Sequence, residues 1–227
     1  MTGVTVSSTV WCFPIVGAFI GVVLWGCVWC LDQLGVPFSL QCLAALIVGI
    51  LLTGALHEDG LADFCDGLGV YDRARALEVM RDSQVGSFGA LALLASFAWR
   101  GLALYELGSV ELLGLCLLLT HMGARALMGG LLIFPLARSD GLAAHSGRAS
   151  WLQVLMALIL MSAVFVGLLP TFVALVAVVV SALGLGLIAL IAVRRYGGLT
   201  GDIYGAGEQV AEMLLLSVFA TLLTKTF

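Results

Sequence analysis

Long apolar runs, broken at intervals by short polar stretches, dominate the 227-residue chain. A helix that crosses a bilayer needs about 20 mostly apolar residues. Seven stretches meet that requirement or come near it: Trp11–Leu31, Ser39–Leu56, Phe88–Tyr105, Val110–Pro135, Trp151–Leu169, Thr171–Val193 and the shorter Val210–Thr224. Pro170 separates the fifth from the sixth with almost no polar residue around it, which predicts a tight helical hairpin. No repeat or low-complexity tract divides the chain. The expectation is an all-α, polytopic integral membrane helical bundle of about seven transmembrane helices, one domain over residues 1–227.

The cations set the orientation. Arg73, Arg75 and Arg81 lie between the second and third spans, Arg138 and Arg148 between the fourth and fifth, Arg194 and Arg195 between the sixth and seventh. Seven spans put those three loops on one face, against Lys225 on the other, and the positive face is expected in the cytoplasm. Composition agrees with an integral membrane protein in contact with a lipid bilayer, and the membrane expected is the cytoplasmic (inner) one. The chain is 62% hydrophobic and 11% charged with a mean hydropathy of +1.15, whereas soluble domains devote about a quarter of their residues to charge. The net charge of −4 comes mostly from one acidic stretch and says nothing about nucleic acid. The ten scattered cations make no basic patch, and no nucleic-acid partner is expected. The six cysteines lie mostly in apolar segments and read as small apolar fillers in a reducing setting.

Against this background one stretch stands out. His57-Glu58-Asp59-Gly60-Leu61-Ala62-Asp63-Phe64-Cys65-Asp66-Gly67 puts four carboxylates into nine residues directly after an apolar run. On a helix, Asp59, Asp63 and Asp66 share one face, with Glu58 to the side. Like charges so placed call for a cation, and hard oxygen donors suit Mg²⁺ or Mn²⁺, bound through carboxylates plus substrate phosphates. Arg75 to Ser83 reads as a short interfacial helix with Leu77 and Met80 towards the membrane. Arg75 and Arg81 then face the acidic stretch across a phosphate-bearing ligand, and Asp82 or Ser83 caps the next span. Gly197 to Gly207 holds five glycines in eleven residues, which permits close backbone approach to a ligand or another helix. Asp202, Gly205, Gln209 and Glu212 fall near one helical face, on the same side of the membrane as the first cluster, and a joint site is expected. Arg100 and Arg125 fall within spans, where an ionisable group needs a partner; an anionic substrate reaching into the bundle would supply one. His121 and His145 read as structural polar residues.

These residues carry a resemblance. Thr53-Gly54-Ala55-Leu56-His57-Glu58-Asp59-Gly60-Leu61-Ala62-Asp63 with Asp66-Gly67 is similar to the first signature of the cobalamin synthase family. Arg75-x-Leu77-Glu78-x-Met80-Arg81-Asp82-Ser83-x-x-Gly86-x-x-Gly89, Arg138-x-x-Gly141-Leu142 and Gly198-Leu199-Thr200-Gly201-Asp202-x-x-Gly205-Ala206 with Glu212 extend the match from Phe13 to the C-terminus. The resemblance implies a Mg²⁺-dependent adenosylcobinamide-GDP ribazoletransferase, with Mn²⁺ as substitute metal. The ribose hydroxyl of α-ribazole, or of its 5′-phosphate, attacks the cobinamide-side phosphorus of adenosylcobinamide-GDP, and GMP leaves. It implies Asp59, Asp63, Asp66 and Asp202 as metal ligands and Asp82 or Glu212 as catalytic base. His57, Arg75, Arg81, Ser83, Arg125, Arg138, Thr200, Gly201 and Gly205 are the implied substrate-binding set, and a homo-oligomer is left open.

The chain departs from the family pattern in lacking a Phe-x-Thr-Arg-x-Pro segment, and in Gln84, Arg100 and Gln209, where Arg, Lys and a carboxylate or Asn are usual. Two other readings compete. A CDP-alcohol phosphotransferase also binds Mg²⁺ through membrane carboxylates, but its Asp-Gly-x-x-Ala-Arg pattern is not met by Asp59-Gly60-Leu61-Ala62-Asp63. A cation-coupled transporter would carry its carboxylates near mid-membrane, whereas these fall at span ends.

Overall fold

A computed structural model describes residues 6–138 and 147–224. Gly141, Leu142, His145 and Lys225 lie outside the described residues. A 3₁₀ helix, Val6–Cys12, leads into α1 (Phe13–Gln33), whose start Pro14 fixes. There follow α2 (Phe38–Thr53), α3 (Leu56–Leu68), α4 (Arg73–Val79), α5 (Ser87–Tyr105), α6 (Val110–Gly129) with a 3₁₀ extension Gly130–Ile133, α7 (Trp151–Leu168), α8 (Thr171–Tyr196) and α9 (Gly201–Leu222). No strand occurs among the described residues, and the expected all-helical bundle is what the chain builds.

Among the described residues, five helical segments are long and apolar enough to cross a membrane. They are Ser7–Gln33, Ser87–Tyr105, Val110–Ile133, Trp151–Leu168 and Thr171–Tyr196, and α2 with α3 makes a sixth if that bent pair counts as one. Large apolar side chains such as Phe19, Trp29, Leu51, Leu94 and Leu183 face outward from them, as lipid contact requires. The hairpin at Pro170 forms as expected, between α7 and α8.

Two of the seven expected spans differ from the sequence reading. The second does not run on to Leu56. Gly54 (φ 64°) and Ala55 (φ 58°) both adopt the left-handed conformation, and the chain turns through 88° between α2 and α3. An L-residue there costs roughly 1–2 kcal/mol, so Ala55 is held by its surroundings rather than by preference. α3, rich in carboxylates and nearly perpendicular to α2, lies along the end of the bundle. The seventh span begins at Gly201 rather than Val210, which adds more than two turns bearing Asp202, Glu208 and Gln209. It is too polar to count as a span by composition, yet it is the central helix, packed on α3, α5, α6 and α8. Gly205 to Gln209 are all buried.

Close backbone approach organises the rest. Gly17 and Gly21 set α1 directly against the α6 backbone at His121 and Leu118, where a Cβ would collide; this is small-residue helix packing of the membrane type. α4 packs on α3 rather than on lipid, since Met80 is buried against Gly67. A two-residue parallel bridge then joins the segment after α6 to the α8–α9 turn. Leu199 N donates to Pro135 O at 2.8 Å, and Ala137 N donates to Leu199 O at 2.9 Å. That bridge carries Arg138 to the first turn of α9.

Candidate active site

α3 and α9 cross at their glycines. The Gly205 Cα stands where a Cβ on Gly60 would be 3.1 Å away, and that same Cβ would lie 2.7 Å from the Asp202 carbonyl. Of the two uses of a glycine-rich stretch, these glycines serve helix contact. The crossing brings Asp59 and Asp63 of α3 to Asp202 of α9. Arg138, delivered by the bridge, places Nη2 3.3 Å from Asp202 Oδ2 and directs Nη1 to Leu77 O at 3.5 Å. Thr200 caps α9, accepting from Ile203 N at 3.4 Å, and its hydroxyl donates to Asp202 at 3.0 Å.

Of these groups, Asp59, Asp202 and Arg138 border a cavity of about 560 Å³. Its polar side is formed by His57, Asp59, Arg125, Arg138, Gly201, Asp202 and Gly205, and its apolar side by α1, the end of α2 and α6 through residues such as Phe13, Val16, Leu52 and Met128. Burial, reinforced by the charges of Asp59, Asp202 and Asp66, pushes the Asp63 carboxyl up to about 7. Crowding of like charges is the cause, and a cation among them would relieve it. Burial first, then the charge of Arg125, lowers His57 to about 4. His57 is therefore neutral, and its 3.6 Å approach to Glu208 is not an ion pair.

Comparison with known proteins locates this arrangement. Residues 2–220 match the family described as cobalamin-5-phosphate synthase. The chain belongs to that family. It is 38% identical over 217 residues to the adenosylcobinamide-GDP ribazoletransferase of Bradyrhizobium diazoefficiens, an alignment covering 95% of this chain and 84% of the relative. Proteins of the same name from Mesorhizobium japonicum (32% identity, 96% and 85% covered) and Azorhizobium caulinodans (36%, 89% and 80%) are similar too. No solved structure matches the chain.

In this member of the cobalamin-5-phosphate synthase family, the described residues of the sequence motifs converge at one end of the bundle, though not all of them reach the cavity. Asp66 turns to α5, where its two oxygens accept from Gly86 N at 2.7 Å and Gly89 N at 2.9 Å. It caps that helix, a role the sequence reading gave to Asp82 or Ser83. Asp82 is exposed and accepts from Gln84 N at 3.1 Å, and Ser83 is exposed beside it. Arg75 is exposed and pairs with Glu78 at 3.0 Å on its own helix, not across a cleft to the acidic cluster. Arg81 is exposed on the same side, close enough to Asp202 for its charge to act there.

The spanning arginines find their partners inside the protein. Arg100 bonds Glu212 at 2.9 Å and Glu58 at 3.3 Å. Arg125 reaches Glu208 at 2.8 Å and Glu212 at 3.5 Å, and His121 Nδ1 lies 2.6 Å from Glu212. Gln209 bridges Glu58 and Glu208, each at 3.2 Å. Glu212 therefore sits in a buried charge network rather than at the cavity, and Glu58 and Glu208 join it. Ligand atoms of His121, Glu208 and Glu212 all lie within 4.8 Å of one another, but Arg125 Nη1 is already among them as their cation. One signal was available in the sequence: His121/Arg125 and Glu208/Glu212 are both i,i+4 pairs, so each presents its two charges on a single helix face.

Proposed function

We propose that this chain is a cobamide synthase that joins adenosylcobinamide-GDP to α-ribazole or its 5′-phosphate, with GMP released, at the cytoplasmic face of the inner membrane. The observation that carries the reading is the crossing of α3 and α9, which gathers Asp59, Asp202 and Arg138 at the rim of one cavity, with Asp63 close enough to feel all three charges. Family membership and the names of the relatives support the reaction class. The orientation rests on Arg73, Arg138, Arg194 and Arg195, which lie at the same end as the carboxylates.

Asp59, Asp63 and Asp202 would hold Mg²⁺, or Mn²⁺ in its place. The donors fit, being hard oxygens in a crowded, partly buried cluster, and such ions bind through few carboxylates and keep positions for phosphate oxygens. When bound, the ion supplies charge neutralisation for the pyrophosphate. Phosphoryl transfer otherwise depends on positioning and electrostatics, and the chain's own residues do the remainder. Arg138, anchored by Asp202 and Leu77 O, faces phosphate oxygens. The apolar wall of α1, α2 and α6 excludes water from the reacting groups. The ribose hydroxyl oxygen bonds to the corrinoid-side phosphorus as the phosphorus–oxygen bond to GMP breaks. Neutral His57, on the cavity wall with Glu208 behind it, is placed to hydrogen-bond the attacking hydroxyl and orient it; Glu212 is engaged by Arg100 and His121, and Asp82 lies outside the cavity.

The test uses purified protein in liposomes with adenosylcobinamide-GDP and α-ribazole, with and without Mg²⁺. Metal-dependent release of GMP with formation of the joined corrinoid is expected, and it should vanish in Asp59→Asn and Asp63→Asn. Turnover unaffected by either substitution would refute the assignment of the acidic cluster.

A further inference from the structure

α5 supplies no residue to the cavity wall, which is drawn from α1, α2, α3, α6, the segment that follows it, and α9. Two α5 side chains nevertheless reach the α3–α9 joint from behind. Arg100 donates to Glu58 Oε1 of α3 from both terminal nitrogens at 3.3 Å and to Glu212 Oε2 of α9 at 2.9 Å. One turn earlier, Ser96 donates to Gln209 Oε1 at 3.2 Å, and Gln209 in turn donates to Glu58. Arg100, Ser96, Gln209 and Glu212 are all buried.

Glu58 immediately precedes Asp59, and neighbouring side chains on a helix point about 100° apart. Glu58 turns in to Arg100 while Asp59 turns out to the cavity. A fixed Glu58 carboxylate therefore fixes the rotation of α3 about its axis, and with it the direction of Asp59. Arg100 grips α9 through the same guanidinium, so one side chain sets both helices that bear the proposed metal ligands. Glu212 keeps His121 at 2.6 Å and Arg125 at 3.5 Å by its other oxygen. Loss of Arg100 would thus loosen α3 without releasing α9 from the bundle.

We infer that Arg100 is a positioning residue: through Glu58 and Glu212 it holds Asp59 of α3 in register with Asp202 of α9. The inference rests on the metal reading proposed above, and the test separates the two. Mn²⁺ is titrated into purified protein in detergent, with free ion followed by electron paramagnetic resonance and folding by thermal melt. Arg100→Gln is expected to fold and to bind Mn²⁺ about 10- to 100-fold more weakly, the usual effect of removing an orienting partner behind a ligand. Arg100→Lys, which keeps a buried cation, should recover most of the affinity. If Arg100→Gln does not fold, Glu58→Gln, which keeps the shape and loses the charge, serves the same comparison. A folded Arg100→Gln or Glu58→Gln that binds Mn²⁺ as the wild type does, or a Lys variant as weak as the Gln variant, overturns the positioning role. Absence of Mn²⁺ binding by the wild type, or undiminished binding by Asp59→Asn, overturns the metal reading and this inference with it.

Discussion

Gly60→Ala gives the sharpest test of the α3–α9 crossing. Within a helix, this exchange would ordinarily stabilise by about 1 kcal/mol through propensity alone. Here the added methyl would stand 2.7 Å from the Asp202 carbonyl and 3.1 Å from Gly205 Cα. Both are backbone atoms, so no side chain can rotate away. Contact distances for such atoms are about 3.5–4.0 Å, which requires the helices to part by roughly 1 Å. Overpacking of this kind costs about 1–3 kcal/mol, so the sign of the stability change reverses. The catalytic effect is larger, because a misplacement of about 1 Å between positioned groups can lower turnover about 100-fold. Gly205→Ala is milder, its Cβ meeting Gly60 Cα and His57 at 3.2 Å. GMP release in liposomes, compared at equal folded protein, gives the readout. A Gly60→Ala enzyme that is more stable than wild type and equally active would show that the helices do not meet there.

Three further outcomes follow from the same geometry. Asp66→Ala should lower stability by about 1–2 kcal/mol as α5 loses its cap, while Asp66→Asn keeps an acceptor and most of that stability; Mn²⁺ affinity unchanged in Asp66→Asn would separate capping from ligation. The Asp63 carboxyl is raised from 3.8 to about 7 in the folded protein, so between those values the folded state holds a proton that the unfolded state has lost. His57, lowered from 6.5 to about 4, acts in the opposite sense within that window, so the comparison is with Asp63→Asn. Metal-free wild type should gain melting temperature relative to that variant as the pH is lowered through 7, and saturating Mg²⁺ should flatten the difference. A wild type that loses melting temperature relative to Asp63→Asn as the pH falls would contradict it. His57→Ala should slow turnover and leave Mn²⁺ binding intact, and equal losses in both would assign the side chain to the metal site instead.

The apolar runs made the bundle legible, and the loop pattern correctly gathered Asp59, Asp63, Arg138 and Asp202 at one end. What stayed hidden was settled by tertiary partners. The break at Gly54 and Ala55 lies in an apolar stretch without proline, and its one local mark, Gly54 as a left-handed helix end, does not by itself divide a span. The start of α9 was set too late because Asp202 and Glu208 depress the hydropathy of its first turns, and their pairing with Arg138 and Arg125 is visible only in three dimensions. Asp66 shares the helix face of Asp59 and Asp63 in sequence; only the arrival of Gly86 and Gly89, each lacking a side chain that would strike its carboxylate, gives it a different task.

The buried network also bears on how the chain enters the bilayer. Charged groups at a helix centre cost about 3 kcal/mol each during insertion, and α9 carries two glutamates near its middle. On its own it is a poor substrate for partitioning into lipid. Arg100 and Arg125 precede it in the chain, so α5 and α6 leave the ribosome first and can stand ready as counter-charges. Insertion of α9 thus becomes a docking event on an existing partial bundle, and a later helix is admitted by the ones before it.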